Sequence, residues 1–320
     1  MIDLIPSLQA GALSLLGREK SREGGIQQYL LTAAYEPEAA AQETGIVLKL
    51  SSLPQIIPYV NFDFERFSFS SLQSLLNCIE LQEAPFPSTS WQLLTSYYSA
   101  FYSAHAIIRS QGFGSFFVNQ RLSAHVNAVM DTYDVSGQLE TGTAMYKIFV
   151  DEFDNGFMML RPSVSASGVH DGFWRDFCQL LSEASSDAKK SGDPDSDIYV
   201  KGIRLLSQKI LVGGLGTSSW LAKIRNELNY QHKHNVWFPE TRRGSKKDVV
   251  DRIQVRSPTS FRFDRGSASR SIEDFVSVTN FLSCLNKEFG DFIASRSTVG
   301  GAFGQKWRRL LATNSTVALG

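Results

Sequence analysis

The chain has 320 residues, 42% of them hydrophobic, which is enough for one large core or two smaller ones and too apolar for a disordered polypeptide. Basic and acidic side chains number 32 each, so the total shows no strongly basic nucleic-acid footprint. The balance is uneven: residues 131–200 carry 5 basic and 13 acidic side chains and residues 201–320 carry 20 and 9, which makes the last third the place to expect a polyanion.

The chain opens on an apolar stretch, Leu4 to Gly17, with Asp3 where a secretion signal carries basic residues and no small-residue cleavage site before Arg18. No apolar run reaches the length of a membrane span, so a cytoplasmic protein without membrane contact is expected. Residues 1–85 read as a small mixed segment of unassigned role: a short helix over Leu8 to Leu16, and a strand over Gly45 to Leu50 closed by Pro54 and Pro58.

From Ser90 the spacing becomes helical. Trp91, Leu94, Tyr98, Phe101, Tyr102, His105 and Ile108 recur every three or four residues, Ser90 is placed to cap and Gly112 to stop the helix. Its other faces carry Ser96, Ser99, Ala100, Ser103 and Ala104, small enough for a neighbouring helix to approach closely. Residues 115–170 read as an insertion with helices near 118–132 and 141–152. Helical spacing returns at Phe173, Phe177, Leu180 and Leu181, then an acidic loop runs from Ser185 to Asp197. Further helices are predicted over Ile198–Val212, Trp220–Gln231 and Ile272–Ile293, with a basic tail over 297–320. The fold class expected is mostly α: a bundle over 86–296 with one insertion and the mixed segment before it. Cys78, Cys178 and Cys284 stand far apart, form no metal-ligand pair, and suit a reducing compartment.

The stretch with the most chemistry is Trp220 to His232. On a helix of 100° per residue, Leu221, Arg225, Leu228 and His232 fall within one narrow sector, which places an arginine and a histidine on an apolar stripe. A charge there is costly unless it is paired or aimed at a ligand. Arg225-Asn226 followed by five residues and His232 resembles the R-x4–6-H motif of the HEPN superfamily. The helix from Tyr97 to Ile108 resembles the aromatic-alanine helix that opens the same bundle.

The resemblance spans about residues 86 to 296, with 115–170 unmatched. It implies an up-and-down four-helix bundle, paired in a homodimer whose two motifs face one cleft, and metal-independent endoribonuclease activity with no cofactor. In such a site His232 moves the proton and Arg225 neutralises the transition state, leaving a 2′,3′-cyclic phosphate. Asn226 would orient the phosphate or the histidine. Asn229, Tyr230 and His234 are secondary candidates, and His232 is preferred over His234 because it keeps the family spacing. The resemblance also implies a prokaryotic toxin, abortive-infection or antiviral setting, with an antitoxin or sensor protein as partner. The alternative from a different class is a catalytically silent interaction or nucleotide-sensing subunit.

Blander readings stand beside these. Arg225 could pair with a carboxylate on an adjacent helix and His232 could stand at a frayed helix end; His232 and His234 could be half of a metal site lacking a recognisable third ligand. Gly213 to Ser219 has a phosphate loop's composition but no lysine, and reads as a turn. Arg242, Arg243, Lys246 and Lys247 open a basic segment interleaved with Phe261 and Phe263, which reads as an RNA-gripping arm rather than a solvated loop. The Met158-Met159-Leu160 cluster reads as core.

Overall fold

The structure, a computed structural model, describes residues 4, 8–9, 13–38, 45–85, 87–163, 169–190, 196–211, 219–237, 247–261, 271–297 and 303–313. Five strands form one antiparallel sheet: β1 Tyr35–Glu38, β2 Ile46–Leu50, β3 Phe113–Val118, β4 Gly142–Val150 and β5 Gly156–Pro162, in the spatial order β1-β2-β5-β4-β3. Buried residues alternate with more exposed ones along β1, β2 and β5, as a half-buried strand requires. In β5 this alternation puts Met158 and Leu160 in the core.

This sheet overturns the mostly α, all-helical expectation. The protein is mixed α/β, and the helix expected over 141–152 is strand β4. Ala144, Met145 and Tyr146 are consecutive and all buried, so β4 is covered on both faces and lacks the alternation that marks a strand. Of the two helices expected in residues 115–170, the one near 118–132 is present as Gln120–Thr132, while the rest is part of the sheet, because β4 and β5 pair with each other and β5 pairs with β2 from the first 85 residues.

The helices are α1 Gly25–Leu30, α2 Leu53–Glu80, α3 Thr89–Ser110, α4 Gln120–Thr132, α5 Val169–Lys190, α6 Ser196–Ile210, α7 Trp220–Gln231, α8 Lys247–Val250, α9 Ile272–Arg296 and α10 Phe303–Thr313. Helix α5 runs through to Lys190, beyond the start of the expected acidic loop at Ser185. The sequence gives no expectation of helix α2. Pro54 sits in its first turn, and Pro58 inside it costs one helical bond while its carbonyl accepts from Arg22 N at 2.9 Å.

Helices α2, α3 and α9 pack side by side along a seam of hydroxyls. Ser71 and Ser103 Oγ lie 2.6 Å apart, Ser99 and Ser283 Oγ 2.7 Å, and Ser96 Oγ and Thr279 Oγ1 2.7 Å. These small residues let the backbones approach closely and satisfy one another out of water. Helix α3 also packs against β3, α5 and α7, so it is the element around which sheet and helices meet in one continuous core. No helix among the described residues is long and apolar enough to cross a membrane.

The expected basic tail is in part a packed helix. Trp307 on α10 is fully buried, its indole Nε1 donating to Asp291 Oδ1 at 2.7 Å, and its ring lies against Phe69 and Phe303. The ring fits because α9 has Gly290 beneath it, where a Cβ would collide with the indole. Gly290→Ala is therefore expected to destabilise the protein by about 1–3 kcal/mol through overpacking, although alanine favours helices. A urea midpoint unchanged from wild type would show that the indole yields freely.

Candidate functional site

Helix α7 begins at Ser219, whose hydroxyl accepts from Ala222 N at 3.2 Å. Leu221 and Leu228 are buried against the chain's own core, so the apolar stripe is covered within one subunit. Arg225 lies on that stripe with 8% of its surface exposed. Its Nη2 donates to the Tyr98 hydroxyl of α3 at 2.6 Å, and its Nη1 donates to Asn226 Oδ1 at 2.9 Å and to the Tyr230 hydroxyl at 3.3 Å. The guanidinium also lies 5.7 Å from the Tyr98 ring centre and 5.2 Å from that of Tyr230.

Its Nε is buried without a partner, and among the described residues no carboxylate pairs with it. The ion-pair reading of Arg225 thus finds no support there. A cation held by neutral groups only, at the edge of the core, has its charge left over for an anion.

The other motif residues are arranged differently from the helical-wheel expectation. Helix α7 stops at Gln231, and His232 takes the left-handed conformation at φ 49°, with its amide and that of Lys233 turned back to Glu227 O. His232 is exposed, its ring 5.0 Å from Trp237, and it is not among the hydrogen-bond partners of Arg225. His234 Nε2 lies 2.9 Å from Glu227 Oε2, so the second histidine is tied to a carboxylate. His232, His234 and Asn235 all have positive φ, an uncommon conformation for side chains with a Cβ, and such strain tends to gather at functional segments. Tyr230 is 68% exposed beside the arginine, and half-buried Asn229 makes no bond to it. Arg242, Arg243 and Lys246 lie outside the described residues, as do Gly213 to Thr217, Phe263 and the side chain of Lys247; of the rest of the basic segment, Arg256 lies over the Phe261 ring at 4.0 Å.

Three residues near Arg225 are not marked as site residues by the sequence. Tyr97 and Tyr98 stand side by side on α3, and His170 opens α5 with its Nδ1 3.1 Å from the Tyr97 hydroxyl. Burial first, and then the charge of Arg225, hold His170 down to about 4, so it is neutral at physiological pH. The aromatic stripe continues from His170 through Phe101 and Phe173 to His105, which burial holds well below the ordinary histidine range. Helical spacing of aromatics and histidines on α3 and α5 was the available signal, but nothing local said that the two helices meet. Among the described residues no group of three or more His, Cys, Asp or Glu is placed to hold a metal ion.

Comparison of the chain with protein-family models, with curated proteins and with solved structures found no match.

Proposed function

We propose that this chain is a metal-independent endoribonuclease that grips an RNA phosphate with Arg225 and leaves a 2′,3′-cyclic phosphate end. The observation that carries the reading is the uncompensated guanidinium: buried for most of its surface, positioned by Tyr98, Asn226 and Tyr230, and paired with no carboxylate among the described residues. A planar cation so placed suits a phosphate oxygen, and one that stabilises charge developing on the non-bridging oxygens contributes mainly to the transition state. Exposed Tyr230 offers an aromatic face for a neighbouring base.

Proton transfer falls to exposed His232, brought to the phosphate by a second copy in a two-fold dimer, since within one chain it does not bond to Arg225. Three free, buried cysteines fit work in the reducing cytoplasm. The resemblance to HEPN nucleases adds the setting proposed here, a prokaryotic toxin or antiviral system held in check by a partner protein.

A second reading is favoured by that same separation of His232 from Arg225: an anion site that binds a nucleotide or RNA without cutting it. The two part in one experiment. Purified chain incubated with single-stranded RNA in excess chelator is expected to yield cyclic-phosphate ends and to leave DNA of the same sequence intact. Binding without cleavage establishes the silent reading, and cleavage restored by one divalent ion overturns the metal-free mechanism.

A further inference from the structure

The Tyr97 hydroxyl is buried, so its bonds are accounted for by its neighbours. Trp174 Nε1, which can only donate, reaches the Tyr97 oxygen at 3.0 Å, and His170 Nδ1 lies 3.1 Å from that oxygen. Had Nδ1 the proton, the hydroxyl would accept twice and its own hydrogen would be left without an acceptor in a buried place, which is costly. The chain of bonds therefore runs one way, from Trp174 N–H to Tyr97 O–H to His170 Nδ1. A neutral imidazole with its Nδ1 lone pair occupied carries its single proton on Nε2.

The placement of that ring relative to Arg225 is built in from two sides. Asp171, the next residue, accepts from Ser219 N at the start of α7, and pairs with Arg175 at 3.2 Å, so the first turn of α5 is tied to the helix that carries Arg225. The His170 ring stands edge-on to Tyr98 at 6.0 Å between centres, and the Tyr98 hydroxyl holds Arg225 Nη2. Among the described residues His170 Nε2 has no hydrogen-bond partner, and it is not among the buried unpartnered atoms.

We infer that His170 is a binding residue of the Arg225 site, its Nε2–H donating to an oxygen of the phosphate that the guanidinium holds. The inference rests on the phosphate-binding part of the reading above and extends it, because it separates two histidine roles. The only lone pair of His170 is taken by Tyr97, so this imidazole donates a hydrogen bond and accepts no proton. The charged and titratable groups around it are Tyr97 and Tyr98 from α3, Arg225 from α7, His105 from α3, and Asp171 on its own helix, and burial with the Arg225 charge keeps it neutral.

The test uses the full chain with its histidines labelled in ¹⁵N, and a 2′-O-methyl oligoribonucleotide, which has the phosphates of RNA without the attacking hydroxyl. Imidazole nitrogen spectra are expected to show His170 in the Nε2–H form at pH 7 and still neutral at pH 5. The oligonucleotide shifts the Nε2–H signal in the wild type and leaves it in place in Arg225→Ala. His170→Phe is expected to bind roughly tenfold more weakly, the loss of one hydrogen bond to a charged group, while His170→Gln, whose amide N–H can stand at the Nε2 position, recovers most of that loss. A protonated Nδ1, or unchanged affinity in a folded His170→Phe, overturns the inference. A shifted His170 signal with no cleavage of unmodified RNA keeps this inference and removes the nuclease reading; cleavage with an unmoved signal does the reverse.

Discussion

Arg225→Ala is expected to slow RNA cleavage by at least about a hundredfold while the protein stays folded. A preorganised donor aimed at developing charge typically contributes about that factor, and Arg225 is preorganised by three separate bonds to Tyr98, Asn226 and Tyr230. Arg225→Lys is not expected to rescue the rate. A lysine is a point charge on one nitrogen and cannot reproduce the planar fork by which Arg225 reaches Tyr98 from Nη2 and Asn226 and Tyr230 from Nη1. The fold survives because the apolar contacts of α7 are made by Leu221, Ile224 and Leu228, all buried, and the space left by the guanidinium lies next to exposed Tyr230. Cleavage rates with a circular dichroism control check this, and a folded alanine variant cutting at wild-type speed would move the active site away from α7.

The largest loss of stability is expected at Arg109, at the other end of the aromatic stripe. Arg109 is 2% exposed. Its Nη1 donates to His105 O at 2.9 Å and meets His105 Nδ1 at 3.0 Å, its Nη2 donates to Ser115 O at 2.7 Å, and its guanidinium lies 4.2 Å from the centre of the Phe67 ring. One side chain thus fastens the last turn of α3 to strand β3. Arg109→Ala leaves the Ser115 carbonyl without its donor, removes the second bond to the His105 carbonyl, which keeps its helical one, and opens an empty space as long as the side chain, a loss of about 3–5 kcal/mol. Arg109→Met refills much of the space but cannot donate to Ser115 O, so about half the loss should remain. Urea denaturation measures both, and an alanine variant within about 1 kcal/mol of wild type would mean that water takes over the Ser115 carbonyl.

What the sequence made legible follows from how local each signal is. Helices α3, α6, α7 and α9 carry apolar residues at helical spacing and were read to within a few residues, and Arg225 drew notice because a charge interrupts such a stripe. Strand β2 matches the strand expected over Gly45 to Leu50, but the sheet around it is hidden because β4 is covered on both faces and shows three buried residues in a row, which a helix turn can also show. Helix α2 escaped because Pro54 and Pro58 read as breaks, although one lies in the first turn and the other costs a single bond. The helical wheel places His232 on the stripe only if the helix continues past Gln231, and no residue type announces the stop, since histidine seldom takes the left-handed conformation. His170 and Tyr98 belong to the site only through the packing of α5 and α7 on α3, which no stretch of sequence contains.

The strand order also sets a timetable for the growing chain. Strands β1 and β2 emerge first, but the inner edge of β2 waits for β5, with Ile46 ending opposite Leu160. Between them the chain makes α2 and α3, neighbours in sequence that pack on each other. Their hairpin can collapse from local contacts as soon as Ser110 is made, whereas the sheet must pay the closure entropy of the long loop that joins its central pair. Until β5 arrives, β2 offers an unpaired edge to any other chain nearby, so slow closure and edge-to-edge association during synthesis are properties of this topology itself.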